Sequence, residues 1–234
     1  MKINHKAFTL AEVLITLLII GIVLAMTLSV LINNYQKKVT GIKLQKAYSI
    51  LTNALRMAEA DYGGGAFPLR NEIHSVVGLT NNDNYKIFET YFVPHLNVAS
   101  KYRGKKYDYK TSSGDVAFYI GNLSGSNSWC VNNEMCFAFM NHGSNYCYIL
   151  VDLNGPNHGP NKVGRDTFYF AIHFNTNNTV IDGNVFMVSK TSTIDQIYNE
   201  KCSKTVTGWA IGSGCTEIII RNNWVIPDDS RYPW

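Results

Sequence analysis

The chain changes character twice along its length. From Val13 to Ile32 no position is charged, and apolar residues occupy every helical face. At about 1.5 Å rise per residue, such a stretch covers the roughly 30 Å hydrocarbon thickness of a bilayer. A core helix of a soluble protein is seldom apolar all round over that length, so the segment reads as membrane-inserted. From Asn33 the pattern turns amphipathic. Leu44, Tyr48, Leu51, Leu55, Ala58 and Tyr62 recur at spacings of three and four, while Lys37, Lys38, Lys43, Lys46 and Arg56 fall mostly elsewhere. Gly63-Gly64-Gly65, followed by Pro68, stops the pattern. One helix is predicted from about Phe8 to Tyr62. Its stripe drifts without sustained heptads, which argues against a free coiled coil.

Beyond residue 70 the apolar runs shorten. Asn84 to Val93 (NYKIFETYFV) reads as a brief helix before Pro94, and Ile194–Cys202 as another. Strand-like runs cover Asp115–Ile120, Met135–Met140, Tyr146–Leu153, Thr167–Phe174, Val185–Val188 and Glu217–Arg221, with Trp224–Ile226 after Asn222-Asn223. Phe168, Phe170, Ile172 and Phe174 alternate with Tyr169, Ala171 and His173, the pattern of a strand burying one face. A helix followed by strands predicts an α+β fold. The long N-terminal helix, membrane-spanning in its first half, packs on a mostly antiparallel β head.

Composition narrows the class. At 234 residues, 46% of them apolar and 16% charged, the chain can bury one core with an appendage and is not a disordered tail. Twenty-five asparagines against 17 acidic residues point to many uncharged polar turns. A net charge of +4 argues against wholesale coating of nucleic acid. No internal repeat or low-complexity tract is present.

The amino terminus carries the sharpest signal. An ordinary secretory signal has an apolar run of roughly 7–15 residues and a small-x-small cleavage site after it. Here the run is longer, and no clean Ala-x-Ala follows Ala25 or Ser29. Instead the basic leader (Lys2, His5, Lys6) ends in Ala7 directly before Phe8, and Glu12 lies inside the apolar block. A carboxylate there is costly unless it is paired or near the interface.

The run KAFTLAEVLITLLIIGI resembles the leader of the type IV prepilin family, which includes type IV pilins and the pseudopilins of type II secretion. The run LINNYQKKV…KLQKAYSIL extends the likeness into the stem. In that family an inner-membrane prepilin peptidase cuts before the aromatic residue and N-methylates the new terminus. The resemblance implies cleavage between Ala7 and Phe8, methylation of Phe8, and a role for Glu12 as the family's glutamate. Physically, cleavage there leaves the helix attached and creates an α-amino cation. A low-dielectric carboxylate at Glu12 needs such a partner from a neighbouring subunit, and a misplaced neighbour leaves it uncompensated. Two departures stand out: Ala7 replaces the usual glycine, and Ser29 stands where many pilins have a proline that helps the helix melt.

Five cysteines, Cys130, Cys136, Cys147, Cys202 and Cys215, lie only in the head. If the head is exported, disulfides persist there. Sequence leaves the connectivity open; pairing by proximity couples Cys130 with Cys136 and Cys202 with Cys215, leaving Cys147 as a buried thiol on a strand. Zinc is disfavoured because no CxxC pair exists. The stretch DLNGPNHGPNKVGRD, Asp152 to Asp166, opens like a calcium loop. Its twelfth position, however, is Val163, where an EF-hand needs a bidentate glutamate. A structural loop, with Asn-Gly and Gly-Pro-Asn turns, is the competing reading. The run KYRGKKYDYK interleaves Lys101, Arg103, Lys105, Lys106 and Lys110 with Tyr102, Tyr107 and Tyr109. Cations and rings in that order suit single-stranded nucleic acid, as in a DNA-uptake pilus, but also suit a solvated surface loop. His5, His74, His95, His142, His158 and His173 form no catalytic or metal-binding grouping by spacing, and no nucleophile elbow or phosphate loop occurs.

The expected organisation is a leader (1–7), a transmembrane and polymerisation helix (8–32), its amphipathic continuation (33–62) and an exported β-rich head (63–234). The expected protein is a structural subunit rather than an enzyme, without metal or cofactor, assembling into a pseudopilus or pilus for type II protein secretion. The alternative is a minor pilin acting as a binding module for DNA uptake or surface adhesion. Expected partners are prepilin peptidase, other pilin or pseudopilin subunits, the inner-membrane assembly platform and the membrane. Nucleic acid is not expected as the main partner. The expected location is the bacterial inner membrane, single-pass, with the N-terminus cytoplasmic and the head in the periplasm.

Overall fold

A computed structural model describes residues 9–61, 88–103, 109–114, 127–131, 135–141, 146–174, 179–182, 192–206 and 212–234 of the chain. Helix α1 runs unbroken over Leu10–Asp61; it contains no proline, the residue that would remove a helical hydrogen bond. The expected limits Phe8 and Tyr62 lie outside the described residues. The chain divides between Val39 and Thr40 into two compact units. In the first, the large apolar side chains of α1 from Leu10 to Ile32 are all exposed. In the second, α1 enters the core. Leu44, Leu51, Leu55 and Ala58 of the predicted stripe are buried, Tyr48 packs against them half-buried, and Gly41, Ala47 and Ala54 widen the buried face.

After a helical turn at residues 88–91 and a tighter turn at Val93–His95, six strands follow: β1 Val98–Arg103, β2 Asn127–Val131, β3 Met135–Asn141, β4 Tyr146–Asp152, β5 Thr167–Phe174 and β6 Thr179–Asp182. They pair antiparallel in sequence order, a meander with β1 and β6 at its edges. Phe137 and Phe139, Ile149 and Val151, and Phe168, Phe170 and Ile172 face the core that holds α1. At about 25 cal/mol per Å² of apolar surface, a helix stripe against a sheet face is the main stabilising layer of such a head. The architecture is therefore α+β, as the residue pattern predicts.

Several local expectations need correction. Strand β5 is buried on both faces rather than one: Tyr169 and Ala171 join Ala138, Tyr148 and Leu150 in a second cluster, closed by Tyr109 and Val163. Those two covering residues come from loops outside the strand, Tyr109 far away in sequence and Val163 just before β5, which alternation within one strand cannot register. Glu217–Arg221 belongs not to a strand but to helix α3, Cys215–Arg221. A short β-branched run is ambiguous between the two states. Here Arg221 Nε donates to Glu217 Oε1 at 2.6 Å, an i,i+4 pair that only a helix forms. Trp224–Ile226 forms no strand either. Asn223 and Trp224 take left-handed φ values of 53° and 65°, and Trp224 N donates back to Ile219 O at 2.8 Å, closing α3 with a Schellman-type turn. Strands β1, β2 and β6 are short and show no apolar–polar alternation in sequence. Helix α2, Ile194–Lys201, matches its expected segment and starts with a capping box between Thr193 and Gln196. The runs Asp115–Ile120 and Val185–Val188 lie outside the described residues, as do residues 84–87 of the expected brief helix.

Candidate functional site

Ala7 and Phe8 lie outside the described residues; the first turn of α1 is described. Thr9 precedes the helix and Glu12 is its third residue, the spacing of a capping box. Thr9 N donates to Glu12 Oε2 at 2.8 Å, Thr9 Oγ1 donates to the same oxygen at 2.9 Å, and Glu12 N donates to Thr9 Oγ1 at 3.3 Å. Glu12 therefore satisfies the Thr9 N–H and hydroxyl through one oxygen, while the Thr9 hydroxyl oxygen satisfies the N–H of Glu12. Oε1 accepts no hydrogen bond among the described residues. The sequence reading assigned Glu12 an intersubunit role and missed this local one, although Thr9-x-x-Glu12 was readable as a cap.

Apolar side chains follow on all sides of the helix. Leu10–Asp61 is long and apolar enough to cross a membrane by length and composition. Side chains such as Leu10, 78% exposed, and Ile20, 54% exposed, find no cover within the chain. Such a surface needs lipid or a neighbouring helix around it.

In the head, disulfides join Cys130 to Cys136 and Cys202 to Cys215. The first links directly opposed residues of β2 and β3; the second ties the end of α2 to the start of α3. Cys147 lies on β4, opposite Asn141 and Ile172.

The Asp152–Asp166 loop is folded around its own two carboxylates. Asp152, 2% exposed, accepts from Asn154 N at 3.1 Å and Gly155 N at 2.9 Å through Oδ1, and from Tyr109 Oη at 3.0 Å through Oδ2. Asp166 accepts from Lys162 N at 2.6 Å, Asn161 N at 2.8 Å and Asn154 Nδ2 at 3.5 Å. Burial pushes Asp152 up to about 7, with the charge of Asp166 adding to the rise against the pull of its donors. Burial also raises Asp166 above the usual carboxylate range. All four carboxylate oxygens already serve N–H and O–H donors, so the loop has the geometry of an Asx-stabilised turn. Among the described residues no group of three His, Cys, Asp or Glu side chains could hold a metal ion.

The basic run is divided. Lys101 pairs with Glu89, Lys105 and Lys106 fall outside the described residues, and Lys110 bridges instead to Lys162 of the carboxylate loop.

Comparison with known families gives two matches. The model described as a family of unknown function (DUF6613) matches residues 30–234. The model of the prokaryotic N-terminal methylation motif matches residues 2–28. No curated protein and no solved structure matches the chain.

Proposed function

Because the chain belongs to the family of unknown function DUF6613 and opens with the prokaryotic methylation motif of a type IV pilin-like protein, we propose that it is a subunit of a pseudopilus serving type II protein secretion. The motif implies a structural subunit, processed by prepilin peptidase and assembled with other pilins. In our reading the leader 1–7 is cut between Ala7 and Phe8, Phe8 is methylated, and the helix 8–32 polymerises. Residues 33–62 continue that helix, and residues 63–234 form the exported head. The precursor crosses the bacterial inner membrane once, N-terminus inside, and meets the assembly platform there.

One observation carries this reading: a methylation motif runs directly into an uninterrupted helix whose apolar surface is bare. Exposed apolar area on that scale is stable only when covered, first by lipid and then by neighbouring helices. The second oxygen of Glu12 supports the pairing step. Thr9 occupies Oε2, and Oε1 is left to accept from the α-amine of an adjoining Phe8. In low dielectric that contact sets axial register, since a neighbour out of step leaves a charge uncompensated.

Intact mass of the protein extracted from membranes tests the reading. The expected species begins at Phe8 and carries one added methyl group. A species beginning at Met1, or downstream of Ala25, would refute it.

A further inference from the structure

Four basic side chains far apart in sequence meet on the head. Lys110 forms a parallel bridge with Lys162: its N–H donates to Asn161 O at 2.7 Å, and its carbonyl accepts from Val163 N at 2.9 Å. Arg165 follows within the same turn, donating from its N–H to Lys162 O at 3.0 Å. Ser112 Oγ donates to Ser203 O at 2.8 Å, which sets Lys204 beside the same segment. Lys110 and Lys204 are exposed, Lys162 and Arg165 half-buried. None of the four has a carboxylate partner among the described residues. Burial, and then repulsion from Lys204, Arg165 and Lys110, holds the Lys162 ammonium below its ordinary range. Neither Asp152 nor Asp166 forms an ion pair with these cations among the described residues; their oxygens accept from Tyr109, Asn154 and the loop's amides. Backbone bonding thus gathers like charges whose mutual repulsion an anionic surface would remove.

The place of the cluster in the head matters as much. Lys43 Nζ donates to Leu153 O at 3.4 Å, and Leu153 N donates to Asp166 O at 2.9 Å. The cationic loop is therefore joined to the α1 residues at which the chain enters the head. Glu59 and Asp61 stand at the far end of the same helix. Eight residue steps separate Ile32 from Thr40, and eight steps span less than about 30 Å even when fully extended.

We propose that Lys110, Lys162, Arg165 and Lys204 form the face through which the head rests on anionic phospholipid headgroups of the bilayer that holds the apolar helix. This rests on the membrane-anchored reading above. Before assembly, while the apolar helix is still in lipid, the short tether keeps a bilayer within reach of the head. The three lysines are compact point charges, and the Arg165 guanidinium lies over the Trp234 ring at 5.6 Å from its centroid; separate cations suit a diffuse anionic surface better than a single acidic side chain.

The test reconstitutes the full chain into vesicles of phosphatidylcholine, alone or mixed with phosphatidylglycerol. Flotation reports anchoring, and amine acylation read by mass spectrometry reports access to each lysine. Lys110, Lys162 and Lys204 should be protected about fivefold or more only with phosphatidylglycerol, the factor matching one lysine's attraction to such a surface. High salt should abolish the protection, and Lys101, paired with Glu89, should label alike in both vesicles. Equal labelling of the cluster, in a chain that floats with both vesicles, overturns the lipid face and leaves the anchored reading standing. Protection that grows with protein density in phosphatidylcholine alone assigns the face to a neighbouring copy, and also overturns it. A chain that floats with neither overturns the anchored reading and this inference together.

Discussion

Gly41→Ala sets two physical effects against each other within α1. Helix propensity alone favours alanine by about 1 kcal/mol. In this fold, however, a Cβ on Gly41 would lie 2.2 Å from Trp224 O and 3.4 Å from Trp224 C. Trp224 would have to withdraw by about 0.8 Å to reach the 3.0 Å at which real Cβ contacts begin. It is held where it is. Its N–H closes the end of α3 on Ile219 O at 2.8 Å, and its ring meets Tyr48 at a centroid distance of 5.3 Å. The atom in the way is backbone, so no rotamer change clears it. Overpacking of this kind costs about 1–3 kcal/mol. Set against the propensity gain, the net loss is about 0–2 kcal/mol, a fall in Tm of up to roughly 8 °C for a head of this size. The assay is thermal melting of the detergent-extracted full chain, followed by tryptophan fluorescence. Gly21→Ala is the control: nothing lies within 4 Å of a Cβ there, and the head should melt unchanged. A Gly41→Ala protein melting above the unsubstituted chain would show that propensity outweighs the contact and that the C-terminal segment does not press on α1 as described.

Glu12→Gln separates the cap that side chain forms from the intersubunit pairing proposed for it. Glutamine at the third helical position still accepts from Thr9 N, so the cap and membrane insertion should persist while filament yield falls. Unchanged filament yield, scored by electron microscopy, would remove the charge from the assembly step. For Asp152, the folded-state value of about 7 lies above the ordinary 3.8. The folded chain therefore binds the proton more tightly. The stability tied to this group is fully present below about pH 3.8 and is lost as pH rises through about 7. Head Tm should rise as pH is lowered from neutrality, and Asp152→Asn should flatten that slope; an unaltered slope would contradict the burial of this carboxylate.

Legibility in the sequence followed the range of the interaction that decides each feature. The membrane-length helix, its amphipathic continuation and β3 to β5 were readable, because a local period of 3.6 or 2 reports which face meets apolar surroundings. Helix α3 was misread because TEIII suits either backbone, and the Glu217–Arg221 pair and the Cys202–Cys215 link decide only once the chain has folded. The second face of β5 escaped for a similar reason: Tyr109 and Val163, which cover it, lie 60 and 6 residues away from Tyr169 and outside any strand.

At the functional end, the methylation motif at residues 2–28, with Glu12 inside it, is a contiguous pattern, legible because such a motif and a helix start both depend on adjacent residues. The cationic face is a different kind of object. Lys110, Lys162, Arg165 and Lys204 span 95 positions of the chain and no linear motif joins them. Only the bridge from Lys110 to Lys162 and the bond from Ser112 to Ser203 bring their charges within range, and Coulomb interaction depends on distance in space, not on separation along the chain.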